Sequence, residues 1–182
     1  MIVTDDDRLA DLCRSMRNQG RDTSAWLSHA RLGYNYRLDE MSAALGEVQM
    51  GRLDDLLAKR RRAAEMYRQA LGGIQEVRLP PMTEPDTASW FVYVVRLADR
   101  FTQKHRDAVM AHLARRGIGT NNYFSPVHLQ GFYRKQFGYK PGDFPVTERI
   151  AARTLALPFH NRLGAKDQDL VIETLKSAIV RL

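Results

Sequence analysis

Trp90-Phe91-Val92-Tyr93-Val94-Val95 is rich in aromatic and β-branched residues and is apolar on both faces. Such a run predicts a central strand covered on both sides. Downstream, Thr102 is placed to cap a helix that turns Val109, Met110 and Leu113 inward and closes at Gly117. Residues 118–128 then read as a strand leading into a loop. Lys140-Pro141-Gly142-Asp143 puts proline and glycine where a type II turn requires them. A helix is expected from about Pro145 to Leu155. A last one starts near Lys166, with Val171, Leu175, Ala178 and Leu182 on one side.

Upstream, Pro80 and Pro81 open a polar loop that reaches Thr87. Before it, Asp39 caps a long helix in which Met41, Ala44, Leu45, Val48, Leu53, Leu56 and Leu57 recur three or four residues apart. The pattern weakens beyond Arg60, and Gly72-Gly73 ends it. A helix of that length suits a span between two lobes or a dimer interface. At the start, Met1 to Thr4 read as the end of a short strand, and Thr4 with Asp7 as the signature of a helix start. Leu9, Leu12, Cys13 and Met16 form one helical face that stops at Gly20. Cys13 on that face reads as core rather than as a nucleophile. Strand, long helix, strand, helix, strand and two helices make an α+β lobe.

The chain has 182 residues, enough to bury a core without staples. One cysteine excludes an intrachain disulfide and suits a reducing compartment. Asp5, Asp6 and Asp7 leave no room for a secretory signal at the start, and no apolar run is long enough for a bilayer. These features point to a soluble cytoplasmic protein. The net charge of +7 invites a nucleic-acid partner, but it is unevenly placed. Residues 1–100 carry 15 basic and 15 acidic side chains, so the whole excess lies beyond them. The dense run Lys59-Arg60-Arg61-Arg62 has Asp55 and Glu65 at ion-pairing helical spacing. It reads as a solvated helix face or as a polyanion-binding strip.

The sequence contains no Gly-x-Ser-x-Gly, no phosphate-cradling glycine loop and no His-Glu-x-x-His. Its five histidines show no metal-ligand spacing, so no metal is expected. Two segments concentrate polar and aromatic chemistry. In Gly33-Tyr34-Asn35-Tyr36-Arg37, just before a helix N-terminus, Asn35 and Arg37 could hold a phosphate. Alternatively the tyrosines pack and Arg37 pairs with Asp39 or Glu40. In Tyr123-Phe124-Ser125-Pro126-Val127-His128, an aromatic pair and an imidazole could stack on a ring and donate hydrogen bonds, or could seal the edge of a sheet.

At these segments the sequence resembles the DegT–StrS sugar aminotransferases, enzymes of fold type I that use pyridoxal phosphate (PLP). The matching stretches include Met1 to Asp6, Met16-Arg17-Asn18-Gln19-Gly20, Gly33 to Arg37 with Ala43-Ala44-Leu45-Gly46, and Trp90 with its strand. They continue through Gly117-Ile118-Gly119-Thr120, Tyr123 to Gln130, Gly142 to Glu148 and Leu155-Ala156-Leu157-Pro158. Each is weak alone, but the ordered set is specific and covers nearly the whole chain.

The resemblance implies a homodimeric enzyme that moves an amino group, usually from glutamate, onto a ketone of a nucleotide-linked sugar. It implies a C-terminal small-domain lobe with an edge of the large domain: residues 1–38 as a remnant of that domain, 39–72 as the inter-lobe helix and 73–182 as the small α+β domain. Asn35 and Arg37 match residues that reach the PLP phosphate in the partner subunit. Tyr123 and His128 match the loop facing the sugar nucleotide. Many family members have histidine then tyrosine where this chain has Tyr123-Phe124, which leaves the sugar open.

The family's Schiff-base lysine lies upstream of the part matched here, and none of Lys59, Lys104, Lys135, Lys140, Lys166 and Lys176 occupies its position. The chain alone is therefore expected to be inactive and not to bind PLP covalently. Ile2-Val3 is expected to form an exposed strand edge that invites association, with a second copy or with an N-terminal half. Two other readings are a non-catalytic dimerisation or binding remnant of the family and a basic nucleic-acid binder.

Overall fold

The computed structural model describes residues 2–22, 28–81 and 88–182. Met1 and most of the expected polar loop after Pro81 lie outside that set. The chain forms two compact units, residues 1–52 and 53–182.

In the first unit, helix α1 spans Asp7–Arg17. Its cap is Asp6, which accepts a hydrogen bond from Leu9 N (3.1 Å). Thr4 instead accepts from Asp6 N (3.1 Å), so the start signature is displaced by two residues. The helix ends at Arg17 with Asn18 as its C-cap, three residues before the stop its sequence suggests at Gly20. Gly20 takes φ +74° and donates from its N–H to Ser15 O (2.9 Å), the wrap-around bond of a helix end. A side chain here would collide with backbone, since a Cβ would lie 1.8 Å from Arg31 O. Ile2 and Val3 form no strand and stand exposed, because a strand exists only through its partner's hydrogen bonds. Cys13 is half-buried rather than core, and Leu9 and Met16 are exposed.

Helix α2 spans Glu40–Met50, capped by Asp39, whose side chain accepts from Ser42 N (2.8 Å). None of its residues is buried, and Met41 is 85% exposed. The single long helix expected from 39 to 72 is two helices. After Met50 the chain turns through Gly51-Arg52, where Arg52 N donates to Gln49 O (3.1 Å), three residues back instead of four. Glycine inside a helix costs about 1 kcal/mol against alanine, which makes Gly51 the cheapest place to break the run.

In the second unit, α3 (Leu53–Leu71), α4 (Gln103–Arg115) and α7 (Ala165–Val180) pack with a three-stranded antiparallel sheet. Strands β1 (Val77–Arg78), β2 (Tyr93–Leu97) and β3 (Thr154–Leu157) lie in that order. β2 is central, as its composition predicts, but it starts at Tyr93 and is buried on one face only. Tyr93, Val95 and Leu97 point into the core while Arg96 cannot, so the strand alternates. β3 falls where the sequence suggests the end of a helix; α6 is Pro145–Ala151 only. The strand expected at 118 makes a single bridge, Asn121 to Ala156.

The core gathers Tyr67 and Leu71 of α3, the inward residues of the sheet, Val109 and Leu113 of α4, and Val171 and Leu175 of α7. Tyr67 donates its hydroxyl to Pro158 O (2.9 Å) and stacks on Tyr93 at 5.0 Å. Burial pushes the Tyr93 phenol up to about 12, so it stays neutral at any working pH. Leu155, wholly buried, pairs with Val95 across the sheet and belongs to the core cluster. Leu155→Ala is expected to lower unfolding free energy by about 2–5 kcal/mol in urea titrations.

Buried His112 on α4 has its Nε2 without a partner among the described residues. Burial, then Arg181, Arg115 and Arg116, hold its imidazole below the ordinary histidine range. The unfolded chain therefore takes up this proton before the folded one does, so stability is full above about pH 6.5 and falls as the pH drops below it. Urea midpoints measured at stepped pH should show that fall, and His112→Leu should reduce it.

Candidate functional site

The first candidate site is built from backbone bonds. The last carbonyls of α1 have no partner within the helix. Met16 O accepts from Tyr34 N (2.7 Å), Arg17 O accepts from Tyr36 N (2.8 Å), and Gln19 N donates to Tyr34 O (2.8 Å). These bonds hold 34–36 extended, so alternate side chains point opposite ways. Tyr34 and Tyr36 stack on each other at 5.0 Å, nearly parallel. Asn35 and Arg37 meet each other: Arg37 Nε donates to Asn35 Oδ1 (2.9 Å). Arg37 does not pair with Asp39, whose carboxylate is committed to Ser42 and held below its ordinary range by that bond. The tyrosines remain exposed rather than packed into a core.

Arg37 lines an open cavity of about 950 Å³ with Arg8, Arg14, Arg17 and Arg31 and the acids Asp11 and Asp22. Asp11 is occupied by Arg14 (2.9 Å). Arg31 donates to the hydroxyl of Ser15, the one buried residue of α1. Arginines outnumber acids here, and guanidinium groups bind phosphate oxygens well. The donor set therefore fits a phosphate dianion such as that of PLP.

The second candidate site lies in the other unit. Ala156 N donates to Asn121 O (2.7 Å), and Thr154 Oγ1 donates to Tyr123 O (2.8 Å). These bonds fix the loop after residue 120 against β3. Tyr123 and His128 then line one groove of about 710 Å³, within the range of small-molecule sites. Tyr123 stands at its rim, edge-on to Phe124 at 5.3 Å. His128, in a 3-10 turn at Val127–Leu129, is only 8% exposed. The structure thus brings Tyr123 together with His128 and Asn35 together with Arg37, one pair in each unit.

Sequence reasoning missed what holds His128. Its Nε2 lies 3.0 Å from Glu148 Oε1, and the Glu148 carboxylate also accepts from Gly142 N (2.9 and 3.0 Å) and Phe144 N (3.4 Å). The bond from His128, then that from Gly142, keeps Glu148 below the ordinary carboxylate range. An ionised carboxylate only accepts, so His128 donates through Nε2–H. Gly142 takes φ +98°, as the third position of a type II turn demands, and Asp143 N closes the turn on Lys140 O (3.3 Å). The rest of the groove comes from the loop between Tyr123 and His128, from Val146, Thr147, Ile150 and Ala151 on the helix expected from Pro145, and from helix α5 (Gly131–Phe137) and the segment after it, where sequence reasoning placed no element. The available signal was aromatic density: five of the chain's fourteen phenylalanines and tyrosines fall between 132 and 144.

Of the lysines, only Lys176 is even half-buried, and it pairs with Glu173 (3.1 Å). Lys59 pairs with Asp55 (2.7 Å), as its spacing suggests. Among the described residues no three His, Cys, Asp or Glu side chains converge as a metal site. No described helix is long and apolar enough to cross a membrane.

Comparison with known proteins agrees with this architecture. The chain is 32% identical over 190 positions to the spore coat polysaccharide biosynthesis protein SpsC of Bacillus subtilis, covering 98% of this chain and 49% of that protein. It is 35% identical over 177 positions to the erythromycin biosynthesis sensory transduction protein EryC1 of Saccharopolyspora erythraea, covering 97% and 46%. The crystal structure of S. venezuelae DesV in complex with a ketimine intermediate matches with a TM-score of 0.84 at 31% identity, over 99% of this chain and 46% of that one. The chain thus spans about half the length of the relatives it matches. With the family's own model aligned to residues 1–176, it belongs to the DegT/DnrJ/EryC1/StrS aminotransferase family.

Proposed function

We propose that these residues form the C-terminal lobe of a PLP-dependent sugar aminotransferase, which moves an amino group from an amino acid, glutamate by family resemblance, onto a keto group of a nucleotide-linked sugar. The observation that carries this reading is the orientation of Asn35 and Arg37 together, away from the tyrosine stack, with Arg37 lining a cavity rich in arginine. PLP, when bound, supplies the electron sink that lets an amine change hands. Arg37 would reach the phosphate of PLP held by a partner subunit through the guanidinium face left free by Asn35, and Asn35 would fix the tilt of that face. Tyr123 and His128 would contact the sugar nucleotide, with His128 oriented by Glu148.

The Schiff-base lysine is not among the six lysines of this chain. A catalytic lysine needs burial or a neighbouring cation to lower its pKa, and these six are exposed or ion-paired. The reaction therefore calls for a second segment carrying that amine. The exposed apolar residues of α2, among them Met41, Leu45, Val48 and Met50, favour docking of such a segment or of a second copy. Residues 1–38 would then belong to the large lobe.

Co-expression with an N-terminal half from a family member is expected to restore aminotransfer to a nucleotide-linked keto sugar. Failure of every such pairing, with both halves folded, would contradict the proposal. In a restored enzyme, Arg37→Gln is expected to weaken PLP binding about tenfold or more, read by cofactor titration, because a charge-assisted bond contributes roughly 1.5–3 kcal/mol.

A further inference from the structure

Arg106, on α4, is only 5% exposed. Its Nε and Nη2 both donate to Asp107 Oδ1 (2.9 and 2.7 Å), which holds the guanidinium in one orientation. Nη1 is then left to donate to Ala151 O (2.9 Å). Burying a cation is costly, and an apolar side chain of similar size would fill the same space without that cost. What the cation reaches is therefore informative. Ala151 is the last residue of α6, and the final carbonyls of a helix have no partner within it. Arg106 supplies the bond that this carbonyl lacks.

A second donor stands beside the same oxygen. Thr154 Oγ1 lies 3.3 Å from Ala151 O and 2.8 Å from Tyr123 O, and among the described residues these two are its acceptors. A hydroxyl carries one proton, so the two carbonyls compete for it. Both belong to residues that line the groove holding His128, whereas Arg106 does not line it. With Ala151 O already bonded to a cation, the proton of Thr154 goes to Tyr123 O, the nearer oxygen. Without that cation, the carbonyl ending α6 would draw the hydroxyl to itself, and Tyr123 would lose its tie to β3.

We propose that Arg106 is a positioning residue for the candidate site: from α4, outside the groove, it satisfies Ala151 O and thereby commits the Thr154 hydroxyl to Tyr123. The bonds run in series from Asp107 through Arg106, Ala151 O and Thr154 to the Tyr123 backbone. The proposal rests on the reading of Tyr123 as a residue that faces the substrate, and adds what aims it.

The test is NMR of the isotope-labelled 182-residue chain, reading the carbonyl carbon signals of Tyr123 and Ala151, which move upfield when a carbonyl loses a hydrogen bond. Thr154→Val removes the hydroxyl and defines the full upfield shift at Tyr123. Thr154→Ser, which keeps the hydroxyl, should leave that signal near its original position. Arg106→Met is expected to shift Tyr123 in the same direction as Thr154→Val and by a comparable amount. Its urea midpoint should stay near that of the unaltered chain, because the change leaves no buried charge unpaired. In a chain already carrying Thr154→Val, Arg106→Met should move Tyr123 no further, since both act through one bond. Asp107→Ala, an exposed change that frees the guanidinium, should shift Tyr123 the same way by less, and it decides the matter if Arg106→Met does not fold. A Tyr123 signal unmoved by these changes, or shifts that simply add in the double variant, would overturn the proposal. In a restored enzyme, Arg106→Met should raise KM for the sugar nucleotide severalfold and leave cofactor titration unaltered; an unchanged KM would overturn it as well. The carbonyl shifts need no substrate, so they decide the role of Arg106 even where no pairing of halves restores aminotransfer, a result that counts against the proposed function instead.

Discussion

Strand β2 is bonded along both edges, to β1 through Val77 and Arg78 and to β3 through Thr154 to Leu157. Its alternation sends Tyr93, Val95 and Leu97 into the core that α3, α4 and α7 close. The second candidate site depends on that arrangement at one remove. β3 keeps its register against β2, and its Thr154 and Ala156 then bind the backbone at Tyr123 and Asn121. The loop bearing Tyr123 and His128 is therefore an extension of the sheet's hydrogen bonding. A shift of one residue in β3 would turn the core-facing Leu155 outward and detach the loop together.

The same logic, on a smaller scale, builds the first site. Unit 1 buries little, and its shape comes from backbone closing on backbone: Gly20 against Arg31, Gly33 against Gly20, and the 34–36 segment against the carbonyls ending α1. Glycine at 20 and 33 is what lets the chain come that close. Extended geometry then does the sorting, placing two tyrosines on one side and an amide and a guanidinium on the other. Five of the six lysines are exposed, and the sixth, half-buried Lys176, is paired with Glu173.

Much of this was legible in the residues. The central strand, the Thr102 helix, the Gly117 stop, the turn at Gly142 and the inward Val171, Leu175 and Ala178 of the last helix follow from local periodicity and turn chemistry, which a short window contains, whereas α1 ends at Arg17 ahead of Gly20 and Leu182 lies exposed beyond α7. What failed was in part non-local. Thr154 to Leu157 is a strand only because β2 lies beside it, and a window of sequence cannot see that partner. The apparent 39–72 helix broke at Gly51, where apolar spacing runs on but the backbone bonding does not. Arg37 took Asn35 rather than the acids beside it, because Asp39 was already engaged as a cap. Glu148 was hidden for the same reason as β3: its bond to His128 spans twenty residues. The family resemblance, carried by ordered motifs, was the part of the reading that needed no such partner, and the match over residues 1–176 agrees with it.

The most direct measurement is to incubate the purified chain with PLP, reduce with borohydride, and locate any adduct by peptide mass spectrometry. If the anchoring amine lies outside these 182 residues, labelling should be scattered and substoichiometric over exposed lysines. A stoichiometric adduct at one lysine, with turnover of a keto sugar by the chain alone, would contradict the account.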